Sequence, residues 1–409
     1  MVHRYCWGLI VMPLLVSCLL FGAAQDLHRL DYTVQLQNIM EHDDGQFLWY
    51  HPRAVVWPRE GHPTQRQALI TLQKHLRVSD YYSGLYVMQS DDAGTHWSAP
   101  QLVPSLDWRT TSKGVTIAVA DVTPGYHAPT GKVLAIGAQV RYSKKGEQLE
   151  DEPYSNQTSY AVYDPMAKTW SDWKRAPVPA GERFNFARNA CSQWLVQQDG
   201  TLLVPYYFAR NAKEPFSTTV VAYRFDGNEL HYLQHGTELH LNIVRGLCEP
   251  SLVRFQDKYY LTIRNDKQGY VTVSDDGLHF KPIKPWLFDD GSELGSYNTQ
   301  QHWLNHSDGL FLVYTRRGAK NDHIIRHRAP LFMAEVDPQT LRVKRATEQV
   351  LIPERGGEMG NFGANAVSPD ESWVTVSEGL WNDDSRKRGA KGATFIARVK
   401  WSRPNRDVK

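Results

Sequence analysis

The chain is short of cysteine, of charge imbalance, of long apolar runs and of helical periodicity, and each shortage excludes something. Only four of its 409 residues are Cys, and Cys6 and Cys18 fall within the first 24. The other two, Cys191 and Cys248, cannot staple so long a chain as a disulfide framework. Pairing in an oxidising compartment and two buried free thiols are both open for them. Lys and Arg number 46 against 44 Asp and Glu, and residues 1–24 contain one charge, Arg4, so the remainder carries 45 against 44, a formal +1. That balance offers no electrostatic footprint for nucleic acid. The one long apolar run, Trp7–Phe21, follows Arg4 and ends in Gly22-Ala23-Ala24 before Gln25. It reads as a secretory signal over residues 1–24, and it is shorter than the roughly 20 apolar residues of a spanning helix. A rival reading takes Leu15-Val16-Ser17-Cys18 as a lipoprotein box with a lipid anchor on Cys18. Either way the chain is expected to be secreted or periplasmic, without a membrane span, and is taken as a monomer. Asn156-Gln157-Thr158 and Asn305-His306-Ser307 fit the acceptor pattern for N-glycosylation.

What is present is aromatic residues and turns. Thirteen Trp, 20 Tyr and 29 Gly accompany short alternating or apolar runs such as residues 68–73, 84–89, 115–120, 219–224 and 394–400. Runs of this kind between Gly, Pro and Asp turns read as strands. Six tight hairpins recur: Arg53–Pro58 into Ala68–Gln73, Val115–Asp121 into Lys132–Val140, Cys191–Gln197 into Thr201–Phe208, Glu249–Phe255 into Tyr259–Arg264, Gln300–Leu304 into Leu310–Arg316, and Ala364–Ser368 into Trp373–Glu378. A hairpin repeated every 50–75 residues or so, each with one or two further strands, predicts a single all-β domain over 25–401, a six-bladed β-propeller, with a polar tail at 402–409. A β-sandwich or a β-helix would not produce this spacing.

Such a fold says where chemistry must lie. The start of each first strand and the end of each second strand share one rim around the axis. Arg53, Arg141, Asn189 to Gln193, Arg210, Glu249, Arg264, Gln301, Arg316, Asn361 and Glu378 fall there, whereas the opposite ends are turns such as Asp199-Gly200 and Asp308-Gly309.

Ser90-Asp91-Asp92-Ala93-Gly94-Thr95-His96-Trp97 fits S-x-D-x-G-x-x-W, with a shortened copy at Ser274–Phe280 and a loose third at Tyr163–Trp170. Asp caps the turn amides, Gly supplies positive φ and Trp packs beneath. On these residues the chain resembles the sialidase superfamily of Asp-box (BNR-repeat) propellers along nearly all of 25–401. The resemblance implies an exo-glycosidase that holds the carboxylate of a terminal acidic sugar with three arginines. It matches Arg53, in His51-Pro52-Arg53, to the first; Arg264 to the second; and Arg328, in Arg328-Ala329-Pro330-Leu331, to the third, with Arg326 and Arg316 as rivals. It gives Asp80 the acid/base role, Glu249 that of activating the nucleophile, and Glu378 that of steadying Arg53. The family's nucleophilic Tyr is missing: Gly360-Asn361-Phe362-Gly363 occupies its place, and Tyr297 is a substitute that no motif supports.

Read residue by residue, the arginines either clamp a carboxylate or pair with Glu249 and Glu378 across blades. Asp80 is a general acid/base or a solvated loop residue. His51, two positions from Arg53, shares its face if the strand is regular and is then an alternative base, unless it is a core histidine. Asp43-Asp44 and Asp289-Asp290 read as turns, and no ligand spacing calls for a metal or other cofactor. Three functions follow: a sialidase-type glycosidase; a propeller rhamnosidase or polysaccharide lyase acting on uronate glycans through His51, His302 or Tyr297; or a non-catalytic glycan-binding propeller.

Overall fold

The computed structural model describes residues 30–78, 80–150 and 157–408. The expected signal sequence, the alternative Cys18 box and Asn156 lie outside them. Among the described residues the only α-helix is Asp383–Lys387, and no helix is long and apolar enough to cross a membrane.

Residues 68–72 are almost wholly buried although their side chains alternate between two faces. A strand buried on both faces must lie inside stacked sheets, and six antiparallel sheets provide that stack. Blade one holds Leu48–Arg59, His62–His75, Tyr86–Ser90 and Gln101–Leu102, bonded in that order. Blade two is built on Thr116–His127, Lys132–Tyr142 and Thr158–Asp164. In blade three, Phe186–Arg188 and Leu195–Val196 together line the inner edge of Leu202–Ala209, followed by Ser217–Phe225 and Leu230–His235. Blade four runs Cys248–Phe255, Lys258–Arg264, Tyr270–Ser274 and Lys284–Pro285. Blade five uses His302–His306, Gly309–Tyr314 and Leu331–Asp337. Blade six uses Gly363–Ser368, Glu371–Ser377 and Ala393–Trp401. The six hairpins of the sequence repeat are the inner pairs of these sheets.

The ring closes through a strand that the repeat does not include. Tyr32–Glu41 pairs antiparallel with Ala393–Trp401, from Tyr32 opposite Trp401 to Glu41 opposite Ala393. The first and last strands of the described residues therefore share one blade. Residues 402–408 dock rather than trail: buried Asn405 accepts from the Ser307 amide at 2.9 Å.

Outer turns repeat as well. Asp92, Asp164, Asp226, Asp276 and Asp337, one in each of blades one to five, accept backbone amides two to four residues ahead. At the first of these turns Gly94 has φ +78°, and a Cβ there would lie 2.4 Å from the Trp373 ring of blade six. On the axis, Gln193 donates to the Trp303 and Ala364 carbonyls at 2.9 Å and accepts from the Trp303 amide at 2.6 Å, so blades three, five and six are tied through one amide. With the centre held this rigidly, the rim above it has a fixed geometry.

Candidate active site

The rim residues are set by bulges. Strand pairing slips between Tyr50 and Arg53 in blade one, between Ala120 and Thr123 in blade two, and between Cys248 and Ser251 in blade four. His51, Asp121 and Glu249 occupy those slips with φ of +57°, +57° and +45°; Cys191 and Asn298, at the same level in blades three and five, have +55° and +54°. Bulges re-aim side chains, and positive φ at non-glycine residues concentrates where function demands a direction.

The re-aimed groups form a circuit around the axis. Tyr50 donates a short hydrogen bond to Glu358, which also accepts from Trp381 Nε1 at 3.2 Å and from Arg328 at 3.4 Å. Arg328 donates to the Asn298 carbonyl at 2.6 Å, and the Asn298 side-chain oxygen accepts from Arg264 at 3.0 Å. Arg264 holds Glu249 at 2.5 Å and Asp266 at 3.2 Å. Across from them, Asp121 lies 2.7 Å from His51 and 2.8 Å from the Cys191 sulfur. Burial opposes ionisation of Asp121, but His51 and Arg53 hold its carboxyl well below the usual range. Glu358 likewise stays low despite burial, chiefly through Arg328, while burial and that carboxylate push the Tyr50 phenol up.

Arg53 differs from the other two arginines. It is 2 % exposed, its one hydrogen bond is to the Val122 carbonyl at 3.4 Å, and its Nε and one Nη have no partner among the described residues. Glu249 Oε2 is similarly unpartnered. A buried guanidinium without a carboxylate at hydrogen-bond distance is costly unless an anion completes it. Arg53 and Arg328 flank the Gly360–Gly363 segment, since a Cβ at Gly363 would meet Arg53 at 2.8 Å and one at Gly360 would meet Arg328 at 2.3 Å. Arg53, Arg264 and Arg328 thus gather at one rim. Of the rivals to Arg328, Arg326 is exposed and Arg316 is bound by both oxygens of Glu348.

Other expected residues fare unevenly. Glu378 does not steady Arg53. Both of its oxygens are taken by Arg355, at 2.9 and 2.8 Å, and the Lys391 and Ala393 amides add to one of them. Glu378 is 2 % exposed and its acceptors are filled by Arg355 and these amides. His51 reaches the rim through the bulge and not through strand alternation. Asp80 is exposed, with one oxygen 3.5 Å from the hydroxyl of Tyr82, whose ring packs 4.6 Å from His51. Tyr297 hydrogen-bonds His327 Nδ1 at 2.5 Å. Asn361 is half-buried beside Phe362, which is fully buried with its ring edge-on to His302 at 4.9 Å. Cys191 and Cys248 are free thiols. Tyr50 and Glu358 escaped the sequence reading because a Tyr within an apolar run reads as core and a loop Glu reads as solvated.

Neither family models nor curated proteins give a match to this chain. Solved structures do. Trypanosoma rangeli sialidase aligns over 90% of this chain and 59% of its own, at 13% identity and a TM-score of 0.57. Hadza microbial sialidase Hz136 aligns over 90% and 68% at 12% identity and 0.61, and the NanB sialidase from Streptococcus pneumoniae over 91% and 71% at 11% and 0.58. The chain has the six-bladed propeller fold of these enzymes. At such identities the likeness speaks for the fold alone, and the chain spans about three fifths of the length of the Trypanosoma rangeli enzyme.

His302 supplies a pH test of this propeller core. Burial first, and the Arg53 charge second, depress its pKa well below 6.5. The folded chain then binds fewer protons than the unfolded one between that depressed value and 6.5, so stability falls as pH drops through this window. The slope is on the order of 1 kcal/mol per pH unit. Urea midpoints from pH 7 to 5 should decline in the wild type, and more gently in His302→Asn, which keeps a group able to meet Ser251; equal slopes would exclude His302 as the source.

Proposed function

We propose that the rim binds the carboxylate of a terminal, sialic-acid-like sugar and that the protein is an exo-glycosidase. The observation that carries this is Arg53, a buried guanidinium with two nitrogens unpartnered, beside Arg264 and Arg328. A planar carboxylate satisfies such a fork with paired charge-assisted bonds. Trypanosoma rangeli sialidase, of the same fold, has been solved with sialic acid bound.

With Phe362 unable to attack, the reaction uses two carboxyl groups. Asp80 gives its proton to the glycosidic oxygen. Glu249, through its unpartnered Oε2, takes a proton from a water that attacks the anomeric carbon as the bond to the aglycone breaks. This displacement delivers the inverted anomer first. The decisive assay incubates purified protein with a 4-methylumbelliferyl sialoside and with uronate polysaccharides. Fluorescence release supports the proposal; none from any acidic glycoside ends it.

A second reading has one observation behind it. Tyr297 and His327, with Asp322 3.2 Å from the far ring nitrogen, resemble a proton relay suited to a lyase or rhamnosidase acting on uronates. Growth of ultraviolet absorbance from an unsaturated uronate product would favour the lyase form.

A further inference from the structure

Blades one, two and three each push one metal-ligating side chain toward a common point. The ligand atoms of His51, Asp121 and Cys191 all lie within 4.8 Å of one another. His51 is 2 % exposed, its Nε2 sits 2.7 Å from Asp121 Oδ1, and its Nδ1 has no hydrogen-bond partner among the described residues. The Cys191 thiol donates a hydrogen bond to the same oxygen at 2.8 Å. All three residues hold positive φ, between +55° and +57°, to achieve this convergence.

We propose that His51, Asp121 and Cys191 bind a borderline divalent transition ion of the zinc type. Imidazole nitrogen, carboxylate oxygen and thiolate sulfur together are the ligand set of zinc, whereas calcium and magnesium take oxygen. One carboxylate and one thiolate neutralise a divalent ion, and binding sends the thiol proton to solvent. Asp121 is the exposed member, its side chain 23% accessible. Arg53 is close enough to act on its charge. The ion would thus add positive charge beside the proposed anion site, but the inference does not depend on the sugar reading, because its test measures metal alone.

Chelator-stripped full-length protein is titrated with cobalt(II) and then with zinc. One equivalent should give a thiolate-to-cobalt charge-transfer band in the near ultraviolet, which zinc abolishes and which elemental analysis matches at one ion per chain. Cys248→Ser should keep the band and Cys191→Ser should lose it, with Cys191→Ala as the second variant if the first does not fold. His51→Gln should weaken zinc binding by about 10²-fold or more. Wild-type protein that takes up no stoichiometric ion, or takes cobalt without the thiolate band, would overturn the proposal. So would a band that persists in both Cys191 variants.

Discussion

Replacing Arg53 by Met is expected to lower kcat/KM toward an acidic glycoside by about 10³-fold, on the order of 4 kcal/mol of transition-state stabilisation, while the melting temperature stays level or rises. The two effects separate because they have different origins. Arg53 is buried with a single long hydrogen bond to the Val122 carbonyl and two unpartnered nitrogens. In the free protein the desolvation of this charge is offset by its attraction to Asp121, which His51 also holds, and an apolar residue of similar length gives up both terms together. Met keeps the stem that packs on Gly363 and gives up only the fork that the substrate would complete. A gain of about 1–3 °C is the scale to look for in a chain of this size. Arg386→Met, which removes a surface pair with Asp43, serves as the control and should leave turnover alone. A clear loss of melting temperature with turnover intact would mean that Arg53 is structural, and the carboxylate clamp would go with it.

The fold was largely legible because a propeller repeats. Hairpins such as Glu249–Arg264 carry their own turn and apolar signals, and charges at their ends marked one rim before any coordinates. Local deviations from regular geometry were not legible. The bulge at His51 breaks the alternation from which its orientation was argued, and the outcome matched only because the slip turns it back to the axis. Glu378 sits at the predicted strand end, but nothing in the sequence says that Arg355, on a preceding loop, occupies both of its oxygens. Tyr32–Glu41 closes the ring with a strand whose partner lies at the other end of the chain, beyond any local pattern. The same reason hides the His51, Asp121 and Cys191 cluster: metal motifs are recognised by short spacing, and these three residues come from three blades. Positive φ at five rim positions, His51, Asp121, Cys191, Glu249 and Asn298, sets where those side chains point, and backbone strain leaves no mark on residue type except where glycine relieves it.

Glu249→Gln is the second large effect, a fall in kcat of about 10²–10⁴-fold with KM little changed. Gln keeps the shape and an acceptor toward Arg264, and Arg264 retains Asp266 and Asn298 as partners. The cluster should therefore persist while Oε2 loses its ability to take a proton. Comparison with Asp80→Asn distinguishes the two roles. Loss of a proton donor matters in proportion to how poor the leaving group is, so Asp80→Asn should spare an activated aryl glycoside and cripple an alkyl or oligosaccharide one. Loss of the base hurts both alike, since water must be activated whatever departs. If Glu249→Gln instead spares the aryl substrate, its carboxylate serves only to balance Arg264. The attacking group must then be sought elsewhere on the rim, at Tyr297 with its His327 partner or at Tyr50 with Glu358. Proton NMR of the first-formed sugar separates that case from water attack, because a covalent tyrosyl intermediate returns the retained anomer.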